Sequence, residues 1–513
     1  MNKNYYITTP IYYPSARPHM GHAYSSIIAD FFARFKRMDG FNVHFLTGTD
    51  EHGLKIQRAA ENKKIKPLDF CDQISQTFRD LSKTLNLSNT DFIRTTEDRH
   101  KKTVQHLWSV LEKNDDIYMS KYSGWYSVSD EAFYGKDEII DKNGVKISEA
   151  SGSTVEWIEE ESFFFKLSKW QDKLLDYYEN NPDFISPKSR KNEVVSFVKS
   201  GLKDLSISRK AFSWGIKVPG HPEHVIYVWL DALTNYISAL NYPDTNDVLF
   251  KKFWPASVHL IGKDILRFHA VYWPAFLMAA KIPLPNKVYG HGWILSGEEK
   301  MSKSKGNILD PIDIINTYGL DPLRYYLIKE VSFGNDGNIS IDKLEDCINS
   351  DLANNYGNLC QRVTAFAEKN CSSKIPKIKS FNNDDLVMLN KFTENLETIR
   401  QEIDKQNINF YISFIVSALF EANKYFNDQE PWKKKDDKDR LNTIVYTSLE
   451  MIRKISFMLY PIIPDSIDKA LKIFDLNPKD IIFESIASHN YLKVDSNINK
   501  IDILFKKIEK KND

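Results

Sequence analysis

The sequence predicts an α/β protein in which a doubly wound parallel sheet carries an inserted domain and is followed by an α-helical domain. Residues 5–53 alternate strand, helix and strand patterns. Residues 116–225 are rich in Tyr, Ser, Gly and Glu and contain short strand-like segments. From residue 344 the pattern is almost wholly helical. A chain of 513 residues is long enough for two to four domains.

The N-terminal elements are predicted in the order strand, helix, strand. Residues 5–9 are aromatic or β-branched, which favours a strand, and three prolines then break the backbone into a loop. Residues 19–38 carry isoleucines and phenylalanines at helical spacing, and residues 42–47 form the next strand pattern. Such a βαβ unit is Rossmann-like, so its parallel strands should end at the sheet edge where ligands of doubly wound folds bind.

The remaining elements predict the domain boundaries. Parallel strands are expected to resume at residues 225–228 and 258–262, and helices are expected at 386–405 and 441–458. We expect the following order along the chain: first half of the doubly wound domain at 1–115, inserted domain at 116–225, second half at 226–290, loop and linker region at 291–343, and α-helical domain at 344–513.

Composition and charge exclude several classes of protein. The 69 basic residues balance 69 acidic ones, so net charge gives no global signal for nucleic acid and any RNA contact must be a local patch. The four cysteines form no CxxC pair, which argues against a disulfide scaffold and predicts a reduced, cytoplasmic location. We expect no secretory signal, because the N-terminus lacks a basic segment followed by an apolar core. We expect no membrane span, because the longest apolar run, at residues 271–280, is too short.

The segment His19, Met20, Gly21 and His22 is the first that carries chemistry. It lies where a proline-rich loop enters a helix, and the amides and dipole of a helix N-terminus suit phosphate groups. Two imidazoles one turn apart can donate hydrogen bonds to charge on an α-phosphate, and the glycine lets a flat base approach the backbone. Taken alone, such an HxGH string is more often accidental than functional.

A second segment, residues 300–307, reads Lys-Met-Ser-Lys-Ser-Lys-Gly-Asn. Lysines that alternate with small polar residues make a cationic loop, which can hold the β- and γ-phosphates of ATP and stabilise departing pyrophosphate. The alternative is a solvated basic turn, the usual state of a lysine- and serine-rich run.

Together and in this order, the two segments resemble the HIGH and KMSKS motifs of class I aminoacyl-tRNA synthetases, and the residues between them resemble the methionyl-tRNA synthetase family. The resemblance implies activation of L-methionine by ATP to methionyl-adenylate and pyrophosphate, followed by transfer to the 3′ end of tRNA(Met). It implies that Mg²⁺ arrives with ATP, that the inserted domain is a connective domain and that the helical domain binds the anticodon. It gives catalytic roles to His19, His22, Lys300 and Lys303.

The resemblance also assigns binding positions. Those for ATP are His19, Gly21, His22, Gly262, Asp264, His291, Gly292, Trp293, Lys300 and Lys303. Those for methionine are Ile11, Tyr13, Asp50, Trp229, Ala232, Leu233, Tyr236, His269 and Trp273. Aromatic rings suit a polarisable thioether and a carboxylate suits an ammonium group, although an isolated aromatic stripe is more often simply core.

Four further residues are assigned by resemblance. Asn358, Arg362 and Trp432 correspond to tRNA anticodon positions, where a guanidinium and an exposed tryptophan can stack on unpaired bases. Taken alone, Trp432 is nearly as well explained as a structural residue in a helix–helix corner. Arg209 lies where the family places an arginine near the active site, although an exposed salt bridge explains it nearly as well.

One stretch departs from the family pattern. Many members carry cysteine pairs in the insertion and bind zinc there, but residues 124–131 hold serine and aspartate instead, and residues 151–153 lack the second pair. A closed structural site needs four soft ligands, so we predict no structural zinc. No oligonucleotide-binding extension follows the helical domain, which favours a monomer.

Two alternatives stay open at this point. A sister synthetase for leucine, isoleucine or valine would carry a large editing insertion, and one for cysteine would need a zinc–thiolate pocket. A catalytically inactive paralogue that binds RNA has no need of the histidines and lysines of the two motifs. A nucleotidyltransferase that uses only HxGH is disfavoured by the helical domain.

Overall fold

The structure is a computed structural model that describes residues 3–15, 17–127, 132–149, 151–296, 299–300 and 309–509. The chain divides into two compact units. The N-terminal unit comprises Asn4–Ala29 and Val43–His291, and the C-terminal unit comprises Met1–Lys3, Asp30–Asn42 and Gly292–Asp513. The bounds of the five predicted segments stay predictions.

The N-terminal unit contains a large sheet and smaller antiparallel ones. In chain order its strands are β1 Asn4–Tyr12, β2 Asn42–Thr49, β3 Asp91–Arg94, β4 Ile117–Ser127, β5 Ala132–Tyr134, β6 Ile139–Lys142, β7 Val145–Ser148, β8 Glu156–Phe165, β9 Ile185–Ser186, β10 Leu205–Ser206, β11 Ser208–Arg209, β12 Lys217–Val218, β13 His221–Ile226, β14 Val258–Gly262 and β15 Val288–His291.

Helices cover the sheet in this part of the chain. Those that lie wholly or partly in the N-terminal unit are α1 Met20–Met38, α2 Leu54–Asn62, α3 Pro67–Thr84, α4 Asp98–Lys113, α5 Gln171–Asn180, α6 Lys188–Lys199, α7 Val228–Leu233, α8 Asn235–Ser238, α9 Val248–Phe253 and α10 Trp273–Ala279. A π-helix, Phe268–Tyr272, leads directly into α10.

The large sheet confirms the predicted α/β fold. Its strand order is β3-β2-β1-β14-β15-β9, and β2–β3, β1–β14, β14–β15 and β15–β9 all pair in parallel. The predicted N-terminal strand, helix and strand appear as β1, α1 and β2. Residues of β1 and β14 such as Ile7 and Leu260 are completely buried, because helices cover a parallel sheet on both faces.

The predicted insertion is largely antiparallel. β4 and β8 pair from Ile117↔Phe165 to Tyr126↔Glu156, and β5 and β10 flank them. β6 and β7 form a separate hairpin. Within the same segment, β9 returns to the large parallel sheet, where it pairs with β15.

The expected parallel strand at residues 225–228 is wrong. β13 ends at Ile226 and pairs antiparallel with β11 and β12, and helix α7 begins at Val228. A short apolar run does not show which strand it pairs with. The strands that pair with β13 are the two-residue strands β11 and β12, which precede it in the chain.

The C-terminal unit is mainly helical. Its strands are β16 Ile294–Ser296, β17 Glu299–Lys300 and β18 Gly337–Ile339. Its helices are α11 Pro311–Tyr318, α12 Leu320–Glu330, α13 Ile341–Cys347, α14 Asn358–Cys371, α15 Asn383–Asp404, α16 Ile408–Asp428, α17 Lys438–Leu459 and α18 Pro464–Leu471, and the π-helix Ile348–Gly357 joins α13 to α14.

The predicted helices at residues 386–405 and 441–458 appear as α15 and α17. Asn382 and Asp385 form a capping box at the start of α15, and Asp437 caps α17. Residues 472–509 are less helical than expected, and the described chain has only 3₁₀ helices of three to five residues there. This tail bonds to an irregular segment instead, with the Ile375 N–H donating to the Ser496 carbonyl at 2.9 Å.

No helix in the described ranges is both long and apolar enough to cross a membrane.

Candidate active site

Four parallel strands of the large sheet end at predicted site residues. β1 ends between Ile11 and Tyr13, β2 ends one residue before Asp50, β14 ends at Gly262 and β15 ends at His291. Gly262 and His291 are register partners. Because the carboxyl ends of parallel strands meet at one edge, the sheet gathers these groups there.

The two histidines of the first motif are in contact at the start of α1. The backbone N–H of His19 donates to His22 Nδ1 at 3.0 Å, and that of Gly21 donates to His19 Nδ1 at 3.1 Å. The ring centroids are 3.8 Å apart. Since both Nδ1 atoms accept, each neutral ring carries its proton on Nε2, where it is a hydrogen-bond donor.

The charge state of His22 follows from its surroundings. Burial lowers its pKa well below the ordinary value, and the neighbouring His19 lowers it further, so His22 is neutral at pH 7. A Cβ added to Gly21 would lie 2.9 Å from His19 Cε1. Glycine at this position therefore leaves room for the His19 ring, and not for the nucleotide base that the sequence predicts there.

Two residues that the sequence did not single out hold the start of α1. Ser25 Oγ lies 2.7 Å from His291 Nε2 and donates to the Gly21 carbonyl at 3.2 Å. Tyr12 donates its hydroxyl to the His22 carbonyl at 3.3 Å, and its ring meets the His22 ring edge to face. These contacts connect the first motif with the end of β15. A serine in a helix gives no sequence signal for such a role.

The end of β14 brings three predicted ATP positions together. A Cβ on Gly262 would lie 2.6 Å from Asp264 Oδ1 and 3.9 Å from His291 Cε1. Glycine therefore allows the exposed Asp264 carboxylate to fold back over the strand end, beside the buried His291.

Asp50 lies in a loop that its neighbours hold firmly. Its N–H donates to the Tyr12 carbonyl at 2.9 Å, and the residue is 8% exposed. The carboxylate of Glu51 is completely buried and accepts from Arg94 Nε at 2.7 Å and from the Thr96 hydroxyl at 2.6 Å. A buried carboxylate is stable only when it is paired in this way, so the pair fixes the loop beside Asp50.

Trp229 lies against a residue that the sequence reading missed. Its ring stacks on that of Phe268, with centroids 3.7 Å apart and 8° between the ring planes. The centroid of the His269 ring is 6.3 Å from that of Trp229. Phe268 is adjacent to a predicted residue, but its partner is distant in sequence, so no local pattern reveals the pair.

Tyr236 and His269 form a buried hydrogen-bonded pair. His269 Nδ1 lies 2.9 Å from the Ile265 carbonyl, which can only accept, so this nitrogen carries the proton. Nε2 therefore accepts from the Tyr236 hydroxyl at 2.7 Å. Burial lowers the pKa of His269 from 6.5 to about 4, so the ring is neutral at pH 7. An uncharged wall of this kind suits an apolar ligand.

The other candidate methionine residues lie in or against one apolar cluster. Leu233 and Trp273 belong to that cluster, and Ile11 and Tyr13 pack against it. Ala232 is also buried. Leu233 and Trp273 are at most 1% exposed, so they are core residues whether or not they also touch a ligand.

The C-terminal unit contains the remaining predicted ATP residues. A Cβ on Gly292 would lie 2.5 Å from the Asp336 backbone nitrogen, so only glycine fits there. The Trp293 N–H donates to the Asp336 carboxylate at 2.9 Å. Lys300 ends β17, but its side chain and the whole of Lys303 lie outside the described residues.

Two of the three predicted anticodon residues contact the same ring. The guanidinium carbon of Arg362 lies 5.6 Å from the Phe426 ring centroid, and the Trp432 ring lies 6.2 Å from it. Arg362 also donates to Asn427 Oδ1 at 2.6 Å. Trp432 is 41% exposed, whereas Asn358 is half-buried at the first residue of α14. An aromatic and cationic surface of this kind can stack on bases.

Arg209 is buried, so the exposed salt bridge expected as an alternative is wrong. Its Nη1 donates to Ser206 Oγ at 2.8 Å and to the Ser208 carbonyl at 2.7 Å. The guanidinium carbon lies 4.4 Å from the Tyr227 ring centroid.

Two models of known protein families match most of this chain. The family model described as tRNA synthetases class I (M) matches residues 5–364, and that of the anticodon binding domain of methionyl tRNA ligase matches residues 375–513. The fold is thus that of a class I aminoacyl-tRNA synthetase.

Individual relatives identify the family within this class. The methionine–tRNA ligase of Brucella suis biovar 1 is 51% identical over 473 residues, which is 92% of each chain. That of Rickettsia conorii is 50% identical over 513 residues, covering 99% of this chain and all of the other. Mycobacterium tuberculosis methionyl-tRNA synthetase in complex with methionyl-adenylate aligns with a TM-score of 0.95 and 43% identity, over 98% of this chain and 99% of that one. The chain belongs to the methionine–tRNA ligase family.

Proposed function

We propose that the chain activates L-methionine with ATP to methionyl-adenylate and pyrophosphate, and then transfers methionine to the 3′ end of tRNA(Met). The observation that carries this proposal is the likeness over almost the whole chain to the M. tuberculosis enzyme, whose structure holds methionyl-adenylate. The full-length identity to the Rickettsia conorii ligase supports the same reaction.

The first step joins methionine to AMP. The methionine carboxylate attacks the α-phosphorus of ATP in line, a P–O bond to the β-phosphate breaks, and pyrophosphate leaves with Mg²⁺. Neutral His22 donates a hydrogen bond from Nε2 to the α-phosphate oxygens. His19, beside it at the helix N-terminus, donates from its own Nε2 to the same phosphate. Lys300 and Lys303 hold the β- and γ-phosphates. Catalysis is then positioning and charge stabilisation, with no covalent enzyme intermediate.

ATP binding involves the strand ends. The predicted ATP positions Gly21 and Gly262 leave room for the His19 ring and for the Asp264 carboxylate, and His291 lies beside Gly262. Gly292 and Trp293 complete the predicted set. Their backbone is fixed by contacts with residues 335–337, including the Gly337 N–H that donates to the Trp293 carbonyl at 2.8 Å.

Selection of methionine depends on charge and shape. The Asp50 carboxylate binds the ammonium group, and Trp229, Tyr236 and His269 enclose the thioether with Ile11, Tyr13, Ala232, Leu233 and Trp273. Because His269 is neutral, the rings around the thioether present no charge to it. Rejection of analogues that differ by one methylene is then limited to about 1–3 kcal/mol.

Transfer requires tRNA(Met), which we propose is read through Asn358, Arg362 and Trp432. A monomeric state and a cytoplasmic location, both expected from the sequence, stay predictions.

Absence of structural zinc also stays a prediction. Across the ranges that the structure describes, no group of three or more His, Cys, Asp or Glu side chains is arranged to hold a metal ion. Residues 128–131 lie outside those ranges. Atomic spectroscopy on purified protein tests the prediction, and stoichiometric zinc would contradict it.

Asp50→Asn provides a direct test of the proposed function. Wild-type protein should charge tRNA(Met) with methionine in the presence of ATP and Mg²⁺. Removing the carboxylate that pairs with the ammonium group should weaken methionine binding by about 2 kcal/mol, or roughly 30-fold in KM. The KM for ATP should not change.

The matched control is Asp321→Asn, another buried aspartate, which accepts from the Ser466 N–H and lies in the C-terminal unit. It should leave both KM values unaltered. A folded wild-type protein that does not charge tRNA(Met) would overturn the proposed function. An Asp50→Asn protein with wild-type methionine KM would remove Asp50 from the site.

A further inference from the structure

Asp231 is a completely buried aspartate with two histidine partners. Its Oδ2 lies 2.6 Å from His52 Nδ1, and its Oδ1 lies 2.7 Å from His100 Nε2. Both histidines are at most 3% exposed. Burial raises the pKa of Asp231, but the two imidazoles outweigh burial, and the net pKa lies below the ordinary value. The group is therefore an ionised carboxylate that accepts a hydrogen bond on each oxygen.

The three side chains come from three separate elements. His52 is two residues beyond Asp50 in the loop after β2, His100 is in the first turn of α4, and Asp231 is in α7, two residues beyond Trp229. His100 Nδ1 lies 2.8 Å from the hydroxyl of Ser238. Ser238 is the last residue of α8, the helix that contains Tyr236.

The backbone of His52 is held as well. Its carbonyl accepts from the Tyr13 hydroxyl at 3.0 Å, and the preceding carbonyl, of Glu51, accepts from Trp214 Nε1 at 2.6 Å. These two bonds hold the loop against Tyr13 and Trp214. The His52 side chain holds the loop against α7, through its contact with Asp231.

We propose that Asp231, His52 and His100 form a positioning network for methionine, in which the carboxylate of Asp231 holds the loop that carries Asp50 at a fixed distance from the helices that carry Trp229 and Tyr236. This inference rests on the proposed function. None of the three network residues touches the substrate. They set the distance between Asp50, which binds the ammonium group, and the rings of Trp229 and Tyr236, which enclose the thioether. This distance determines whether one methionine molecule can contact both.

The network predicts a selective kinetic defect. In Asp231→Asn one carboxylate oxygen becomes an NH₂ group, which faces an imidazole N–H instead of accepting from it. The loop and the helices then shift relative to one another. A misplacement of about 1 Å can cost up to about 100-fold, so we expect the KM for methionine to rise by about tenfold or more. The KM for ATP should stay within about twofold, because the nucleotide is bound by other residues.

Conservative variants separate this role from general stability. In His52→Asn the amide nitrogen takes approximately the place of Nδ1 and still donates to Asp231, so methionine KM should stay near the wild-type value. His52→Ala removes the donor and should raise the KM as Asp231→Asn does. Because His52 acts through Asp231, adding His52→Ala to Asp231→Asn should raise the methionine KM little further.

The matched control is Asp385→Asn. Asp385 is also completely buried, and it accepts from the Tyr425 hydroxyl and from Arg440 Nη1, both in the C-terminal unit. This variant should lose a comparable amount of stability and keep both KM values. Methionine-dependent ATP–pyrophosphate exchange, with thermal unfolding of each variant, provides the measurements.

The outcomes are distinguishable. A wild-type protein without methionine-dependent exchange would overturn the proposed function and this inference with it. An active wild type whose Asp231→Asn variant keeps its methionine KM would overturn the inference alone. Equal rises in both KM values, or failure of His52→Asn to restore binding relative to His52→Ala, would also overturn it, since they indicate a structural role.

Discussion

Replacing Tyr236 by phenylalanine removes one hydroxyl and leaves the ring in place. In the wild type this hydroxyl donates to His269 Nε2 at 2.7 Å, and both residues are at most 2% exposed. His269 Nδ1 is held by the Ile265 carbonyl, so the ring cannot turn to another donor without losing that bond. Tyr236→Phe therefore leaves a buried acceptor without a donor. Such a loss costs about 1–3 kcal/mol, and we expect the free energy of unfolding to fall by that amount.

Urea unfolding followed by tryptophan fluorescence measures the effect, since eight of the 10 tryptophans lie in the N-terminal unit. Tyr24→Phe is the matched control. Tyr24 is completely buried in α1, but its hydroxyl has no hydrogen-bond partner among the described residues. Its removal should therefore change stability by less than about 0.5 kcal/mol. If the two variants are equally stable, the assignment of donor and acceptor between Tyr236 and His269 is wrong.

Three further changes test other parts of the molecule. Gly292→Ala should destabilise the C-terminal unit by about 1–3 kcal/mol, because the added Cβ would lie 2.1 Å from the Asn335 backbone oxygen. An unchanged thermal midpoint would argue against this. The pKa of His269 in the folded protein is about 4, below its ordinary 6.5, so as pH falls the unfolded state takes up the proton first. Wild type should then lose about 2 kcal/mol of stability between pH 7 and pH 5 that His269→Gln does not lose, as urea unfolding at the two pH values would measure. Trp432→Ala should lower kcat/KM for tRNA by about tenfold and leave pyrophosphate exchange unaltered, since a stacked base contributes about 1–3 kcal/mol. Normal charging by a folded variant would remove Trp432 from the anticodon site.

Much of the doubly wound fold could be predicted because local patterns determine it. The phenylalanines and isoleucines of α1 recur at helical spacing, and the aromatic and β-branched residues of β1 favour a strand. The parallel strand predicted at residues 225–228 is wrong because a short apolar run is compatible with a strand in either kind of sheet. β9 has only two residues, too few for any periodic signal.

The candidate site was predictable to the extent that its residues form contiguous motifs. His19 and His22 are three residues apart, and their contact follows from the helix that begins between them. The partners of these residues were not predictable, because Phe268 meets Trp229 and Ser25 meets His291 only after the chain has folded. Asp231 lies between the assigned residues Trp229 and Ala232, but its role depends on two histidines that lie far away in sequence.

The central claim is that this chain activates methionine, and amino-acid-dependent ATP–pyrophosphate exchange across the twenty amino acids tests it most directly. The assay is run without tRNA, so it isolates the adenylation step and the pocket. We expect exchange with methionine alone. Exchange with a different amino acid would contradict the assignment of the pocket, and no exchange with any amino acid from folded protein would contradict the proposed activity.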